Sequence, residues 1–181
     1  MHRPLAIVVT AALTACGAPT DSAAPETALL TTDHRAQLDS LGIPIALPTH
    51  VPAGFQVARV ATHEVGPAPM DMPGYTIRYV HESGECFTIE TARGGLGGPV
   101  TERQLAIYPD AFPAPADMPY LIYWTGDEAE PGFRPRSLFS DWIGGPPVFY
   151  RIASGGAVAG DCARIDPEVA SRIAESLRPV S

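Results

Sequence analysis

The segment YTIRYVH at positions 75–81 and the segment ECFTIET at positions 85–91 both alternate apolar with polar side chains. That period of two is typical of a β-strand with one buried face. Because only three residues separate the segments, and the last of these is Gly84, the pair predicts a β-hairpin. Neighbouring strands are expected to pack on this hairpin.

Side-chain pairing selects the register of the hairpin. A two-residue loop would place Glu82 directly opposite Glu85, and like charges in that position destabilise a strand pair. A three-residue loop supplies Gly84 at the left-handed bulge position and pairs Tyr79 with Phe87. We therefore predict the second register, which also pairs Ile77 with Ile89 and Tyr75 with Thr91. Its other face carries Thr76, Arg78, Thr88 and Glu90, with Val80 beside Cys86.

Further strands are predicted at 55–64, 101–108, 120–125 and 148–154, where glycine and proline occupy the gaps. In the first of these, Phe55, Val57 and Ala61 are expected on one face. The strands do not alternate with helices, which favours an antiparallel sheet, here of about five or six strands.

The C-terminal segment predicts the best helix. Asp166 suits the N-cap, Pro167 suits the first helical position, and Pro179 is expected to end the helix. Apolar residues recur at helical spacing from Val169 to Leu177. A weaker helix is expected from Asp33 to Leu41. The predicted fold class is α+β, with the C-terminal helix packed on the antiparallel sheet.

The N-terminal segment has the parts of a secretory signal, namely Arg3, an apolar run over residues 5–13, and small residues after it. Its end, Leu13-Thr14-Ala15-Cys16, resembles the lipobox of bacterial lipoprotein signals. In that family cleavage precedes the cysteine, whose sulfur then carries diacylglycerol and whose amine is acylated, often with palmitate. The resemblance implies a lipid bilayer as partner, reached through acylated Cys16. An ordinary cleaved signal with a chance cysteine is the alternative.

The same resemblance implies a location in the cell envelope. Gly17, rather than an aspartate, follows the cysteine, which favours the outer membrane if the organism is Gram-negative. The expected organisation is a signal peptide over residues 1–15, a disordered tether over 16–32 that is rich in Ala, Pro and Thr, and a single α+β domain over 33–181.

With Cys16 assigned to lipid, Cys86 and Cys162 remain as an even pair in an oxidising compartment. We predict a disulfide between them. Two separately buried thiols are the alternative, and the absence of a Cys-x-x-Cys motif disfavours a redox pair.

Charge excludes several classes of function. All 12 basic residues are arginine, and the net charge is −8. Such a surface repels phosphate backbones, so no nucleic-acid partner is expected. The lack of lysine excludes Schiff-base chemistry, P-loop nucleotide binding and Ser-x-x-Lys acylation.

Two further motifs carry a family resemblance across residues 47–178. The segment LPTHVPAGF at 47–55 resembles the "LPxxLPxGF" motif that opens the domain of one family, and the Pro-Glu and Glu-Ser-Leu of the final helix resemble the same family. These are uncharacterised bacterial lipoproteins and extracytoplasmic domains of anti-sigma-type envelope proteins. The resemblance implies a fold but no catalytic residues.

Candidate ligand-binding features are few. A glycine loop made of Gly94, Gly95, Gly97 and Gly98 could bind an anion through backbone amides. An aromatic strip of Tyr120, Tyr123, Trp124 and Trp142 could stack on glycan rings, although such residues usually form core. The segment PAPMDMP at 67–73 recurs as PAPADMP at 113–119, either as two partner-binding loops or through compositional bias. His63 and His81 are expected at opposite ends of a strand pair, so we predict no metal site and no cofactor.

These features favour a membrane-anchored lipoprotein with a non-enzymatic binding or accessory role over an enzyme. The expected partner is an envelope protein, a glycan or a lipid. One alternative is a lipid-carrier-like half-barrel, which requires a curved sheet with an apolar cavity. The other is a cell-wall hydrolase, which requires convergent acids or a His-Ser pair in an aromatic cleft.

Overall fold

A computed structural model describes residues 29–63, 73–92, 101–114, 118–128, 133–158 and 162–180. The expected signal peptide, Cys16, most of the tether and the glycine loop lie outside the described residues. So does the first Pro-Ala-Pro segment up to residue 72, together with residues 115–117 of the second.

The described residues form two sheets and two helices, which confirms the α+β class. The larger sheet has the strand order β2-β3-β4-β9-β7-β6-β5, and two short strands, β8 and β10, pair with β9 and β4. Its pairings are antiparallel except for the parallel pair β10 with β4. The strands of this sheet are β2 Gln56–His63, β3 Gly74–Val80, β4 Glu85–Ala92, β5 Gln104–Ile107, β6 Tyr120–Trp124, β7 Ser137–Ser140, β8 Ile143–Gly145, β9 Val148–Gly155 and β10 Ala163–Arg164.

The large sheet contains nine strands over the described residues, more than the five or six expected. The additional strands β7, β8 and β10 contain four, three and two residues. Segments this short hold too few alternations for periodicity to identify them. A separate two-stranded sheet pairs β1 Ile45–Pro48 with β11 Leu177–Val180.

The predicted hairpin register is confirmed. β3 pairs with β4 so that Tyr79 faces Phe87 and Ile77 faces Ile89. The loop closes through the His81 N–H, which donates to the Glu85 carbonyl at 2.9 Å. Gly84 has a φ of 87°, the left-handed conformation that the three-residue loop requires.

β2 departs from regular alternation at a β-bulge. Val57 pairs with Tyr79, but Arg59 pairs with Arg78, so Ala58 is the extra residue. A bulge inserts one residue and thereby exchanges the faces of all residues beyond it. The expectation that Ala61 shares a face with Val57 is therefore wrong, because the bulge lies between them.

The helix α2 spans Pro167–Glu175 with the predicted N-cap, since the Asp166 carboxylate accepts from the Glu168 N–H at 2.8 Å. It ends two residues before Leu177, which instead begins β11. The residue before a proline is biased towards extended backbone, so Arg178 before Pro179 favours a strand. The other helix, α1, spans Thr32–Asp39 and ends near Gly42, whose φ is 63°.

The core lies between the large sheet and α2. Tyr79 and Phe87 are stacked there with ring centroids 4.5 Å apart. The inward side chains of β3, β4 and α2 are fully buried and belong to one core cluster: Tyr75, Ile77, Tyr79, Phe87, Ile89, Ala170, Ile173 and Ala174. The Tyr75 hydroxyl joins β3 of the large sheet to β1 of the small sheet. It donates to the Ala46 carbonyl at 2.9 Å and accepts from the Ala46 N–H at 3.0 Å.

The predicted disulfide between Cys86 and Cys162 is present, with Cα atoms 5.7 Å apart. It lies on the opposite side of the sheet from the aromatic core, as expected. There Cys86 packs with Ala153 and Val158 in a small second cluster. The bridge joins residues 76 positions apart and ties the segment after β9 to β4.

Replacing Tyr75 with phenylalanine tests the hydrogen bonds between the two sheets. Tyr75→Phe leaves the buried N–H and carbonyl of Ala46 without their hydroxyl partner, which costs about 1–3 kcal/mol of unfolding free energy. Urea denaturation followed by circular dichroism measures the change. Tyr108→Phe is the matched control, because Tyr108 is 65% exposed. Equal stability of the two variants would contradict the prediction.

Removing the disulfide tests its contribution to stability. For a loop of this length the chain-entropy model gives on the order of 4 kcal/mol. We expect Cys86→Ala/Cys162→Ala to lower the free energy of unfolding by an amount of that order. Reduction of the wild-type protein with dithiothreitol should lower it similarly, and should leave the double variant unchanged.

Candidate functional site

The face of the large sheet opposite the core, here called the outer face, carries Thr76, Arg78, Thr88 and Glu90. The hairpin register predicts this placement, and the structure confirms it, since these residues alternate with the buried core side chains of β3 and β4. Among the described residues, an arginine-lined cleft and an aromatic cleft both open on the outer face, and Val158 lines each of them.

The first, the arginine cleft, has a volume of about 290 Å³. Strands β2, β3 and β4 supply its floor, and Val158 supplies one wall. Two arginines and two threonines are among the residues that line it. Its lining residues are Arg59, Ala61, Thr76, Arg78, Thr88, Glu90 and Val158.

The bulge in β2 explains why two arginines meet in this cleft. With regular alternation, Arg59 would share the core face with Val57. The extra residue Ala58 turns Arg59 to the outer face, where it pairs directly with Arg78. Bulges often redirect a side chain next to a functional site.

Glu90 forms an ion pair with Arg151 of β9, at 2.6 Å between Oε2 and Nη2. The side chains are 22% and 28% exposed, so water screens the pair less than a surface pair. The Arg151 guanidinium also lies 4.5 Å from the ring centroid of Trp142 and 5.4 Å from that of Phe139. These contacts hold Arg151 in place and neutralise the Glu90 carboxylate.

The second, the aromatic cleft, has a volume of about 350 Å³ and is lined by Phe133, Arg134, Ser137, Phe139, Gly156, Ala157 and Val158. Phe133 and Phe139 meet edge to face with centroids 5.6 Å apart. The Ser137 Oγ is buried and has no hydrogen-bond partner among the described residues. This cleft offers aromatic surface, whereas the Ser137 hydroxyl is buried beneath it.

The disulfide positions the wall between the clefts. Val158 and Ala157 pack against Cys86, Cys162 and Phe139. Gly155, which begins the turn leading to Ala157 and Val158, has a φ of 63°. A Cβ there would meet the Arg136 carbonyl oxygen. Only glycine fits this turn, which brings the segment across the outer face.

The four residues of the predicted aromatic strip do not share one face. Tyr120 belongs to the core, and its hydroxyl donates to the Gly144 carbonyl at 3.3 Å. Trp124 packs on the core from the same side of β6. Tyr123 pairs with Phe139 on the outer face, and Trp142 stacks on Arg151. The strict alternation of a strand separates neighbours such as Tyr123 and Trp124.

Near the hairpin turn the structure joins His81, Ser83 and Glu85, a cluster that the sequence analysis did not predict. The Ser83 hydroxyl donates to Glu85 Oε2 at 2.9 Å and lies 2.7 Å from His81 Nδ1. In a hydrolase triad the imidazole lies between the serine and the acid. Here the serine lies between the imidazole and the acid, so the carboxylate cannot orient the base. These hydrogen bonds stabilise the exposed loop of the hairpin.

The histidines of β2 and β3 lie at opposite ends of this strand pair. His63 pairs with Gly74, whereas His81 lies beyond the pair of Gln56 with Val80. The ring centroids of His81 and Phe55 are 5.2 Å apart. Across the described residues, no group of three or more His, Cys, Asp or Glu side chains could hold a metal ion.

A small cavity of about 100 Å³ lies beside α1 and is lined by Leu30, Arg35, Leu38, Asp39, Ile45, Leu47 and Val180. Sites for small molecules usually measure about 300–1,000 Å³. Its size therefore does not suit an acyl chain. In the described part of the chain, no helix is long and apolar enough to cross a membrane.

Comparison with known proteins found no matching family model, no matching curated protein and no matching solved structure.

Burial raises the pKa of Tyr123 to about 12, and the nearby Asp141 carboxylate contributes through its charge and a hydrogen bond. We expect Asp141→Asn to lower this pKa while leaving it above 10, because the amide retains the burial but removes the charge. Tyrosine ring ¹³C shifts measured against pH follow the titration. Tyr150 is the internal control, since burial alone raises its pKa to about 12.

The same shift affects stability. Because the folded pKa of Tyr123 exceeds the unfolded value of about 10, its contribution is fully present below pH 10 and is lost as the pH rises towards 12. Asp141→Asn should therefore reduce the loss of stability over this interval. An unchanged pH dependence would contradict the role assigned to Asp141.

Proposed function

We propose that this chain is a lipid-anchored protein of the bacterial cell envelope whose α+β domain has a non-enzymatic binding role. The observation that carries the proposal is the disulfide between Cys86 and Cys162. It accounts for two of the three cysteines and leaves Cys16, the cysteine of the lipobox-like segment, available for acylation.

Two independent features of the cysteines therefore agree. Disulfides form and persist in oxidising compartments such as the periplasm and the cell surface. A lipobox directs a protein to the same side of the inner membrane. An acyl anchor also suits a chain of net charge −8, which an anionic membrane surface would repel.

The outer face supports the binding role. Its clefts are lined by side chains from strands that are far apart in sequence, and Arg151 is held by one ion pair and two aromatic rings. A lipid carrier would instead need an apolar cavity under the sheet, where the described side chains are fully buried against one another. We therefore favour ligand binding on the outer face over an acyl chain inside the fold.

Metabolic labelling tests the anchor. When the chain is expressed in a bacterium that acylates lipoproteins, an alkyne analogue of palmitate should label the wild-type protein and place it in the detergent phase of Triton X-114. Cys16→Ser should lose the label completely, because serine has no thiol to accept the diacylglycerol.

The double variant Cys86→Ser/Cys162→Ser is the matched control, since it makes the same substitution at the other two cysteines. It should keep the label. An unlabelled wild-type chain, or label that persists in Cys16→Ser, would refute the anchor.

A further inference from the structure

We propose that one rim of the large sheet, here called the proline rim, rests on the neutral lipid surface that holds the anchor. The proline rim consists of the segments 42–44, 108–114, 118–119 and 144–147, which contain six prolines. The inference rests on the proposed anchor and deepens it, because it names the surface of the domain that faces the bilayer.

The sheet topology places these segments at one end of the strands. Because neighbouring strands are antiparallel, β5 ends where β6 and β9 begin, and β3 begins at that same end. The two copies of the Pro-Ala-Pro segment, at 67–73 and 113–119, directly precede β3 and β6 in the chain. Both copies therefore lead into strands that start at this rim, as binding to one shared partner requires.

Side-chain contacts join the segments of the proline rim. The Gly144 N–H donates to the Tyr120 hydroxyl at 3.2 Å, and the Tyr150 hydroxyl donates to the Pro44 carbonyl at 3.1 Å. The ring of Phe112 packs on that of Tyr150 with centroids 5.3 Å apart. The segments therefore form one surface.

Two large apolar side chains are exposed at this surface. Tyr108 is 65% exposed and Met118 is 67% exposed, and no other large hydrophobic side chain of the described residues is as exposed. Both lie just beyond the last pair of β5 with β6, which joins Ile107 and Tyr120. Tyrosine suits the lipid–water interface, because its ring is apolar and its hydroxyl is polar. Contact with lipid would remove both side chains from water.

The two rims of the sheet differ in charge. Asp110 is the one charged residue of the proline rim, and it is paired with Arg178 at 3.2 Å. At the opposite rim the described segments 81–85, 125–128, 133–136 and 163–168 contain nine charged residues. Moving charged groups out of water is costly, so the proline rim is the better suited to contact a bilayer.

The surrounding acids select the kind of lipid. Asp39 of α1 lies beside the cavity that Val180 lines, and Asp71 and Asp117 belong to the repeated segments outside the described residues. With a net charge of −8, the chain has no attraction to an anionic surface. We therefore assign a neutral lipid surface to this rim.

The chain enters the domain beside the proline rim. Leu30 lines the small cavity next to α1 together with Ile45 and Val180. In β11, Val180 lies two residues after Arg178, which is bonded to Asp110 of the rim. The first described residues therefore lie close to the proposed lipid contact.

The length of the expected tether favours the same orientation. Twelve residues, 17–28, separate Cys16 from Leu29. A chain of this length reaches about 45 Å when fully extended, and a flexible one spans about 20 Å on average. A domain of this size is about 40 Å across. The anchor therefore holds the rim at which the chain enters towards the bilayer more often than the opposite rim.

Photocrosslinking in vesicles tests this orientation. Residues 16–181 include every described residue, and Cys16 is the one cysteine outside the disulfide. Coupling this thiol to a maleimide phospholipid in phosphatidylcholine vesicles supplies an anchor whether or not cells acylate the chain. The photoreactive residue p-benzoylphenylalanine then replaces either Tyr108 at the proline rim or Phe133 at the opposite rim.

We expect the crosslinker at position 108 to label lipid about tenfold more than the crosslinker at position 133, the ratio that burial of one apolar side chain provides. The yield should persist at high salt, because the contact is apolar. It should fall in vesicles that contain anionic phosphatidylglycerol.

Met118→Asp is the decisive variant, because Met118 is exposed and its replacement should not affect folding. It should lower the lipid yield from position 108 about tenfold, since it replaces a buried apolar contact with a charge. Ala163→Asp is the matched control, because it adds the same charge at an exposed position of the opposite rim and should leave the yield unchanged.

Equal lipid labelling from positions 108 and 133, or wild-type yield in Met118→Asp, would overturn the proposal. Crosslinks from position 108 to a second copy of the chain instead of lipid would also overturn it, and would identify the rim as a dimer interface. Failure here is distinguishable from failure of the anchor. A chain that is labelled with palmitate in cells but shows no preference for position 108 loses only the orientation. A coupled chain that shows the preference but is not labelled in cells loses only the anchor.

Discussion

The register of β3 against β4 is the constraint on which the rest of this structure depends. A slip of one residue would move Tyr79 and Phe87 out of the core and bring Arg78 and Thr88 into it. The turn at Gly84 and the stacking of the two rings both favour the observed pairing. Because β2 and β9 add to the two sides of this hairpin, the same register decides which of their side chains reach the outer face.

One ion pair on the outer face compensates a charge that the sheet partly buries. Glu90 would be a partly buried carboxylate, and Arg151 compensates its charge from the neighbouring strand. Arg151 is in turn held between the rings of Phe139 and Trp142. Arg59 and Arg78 lie on the same face as direct partners across β2 and β3.

Much of the local structure could be predicted. The turn residues predict the pairing of Tyr79 with Phe87, and capping preferences predict the N-cap at Asp166. The oxidising compartment predicts the disulfide between Cys86 and Cys162. The end of α2 was harder to predict, since Leu177 fits the helical spacing but begins β11, which pairs with β1. The candidate site could be predicted only in part: Thr76, Arg78, Thr88 and Glu90 were expected on one face, whereas Arg59, Arg151 and Val158 were not.

The sequence by itself determined the hairpin, its two faces and the class of fold, because alternation, turn residues and capping are local properties. It also predicted the pairing of Cys86 with Cys162, because only these two cysteines remain beside Cys16. It also contains the lipobox-like segment on which the proposed anchor depends. Only the tertiary structure decided that a bulge turns Arg59 towards Arg78, and that Arg151 reaches Glu90 across 61 positions. Strand order and bulges are set by how distant segments pack together, and no short stretch of the chain encodes that choice.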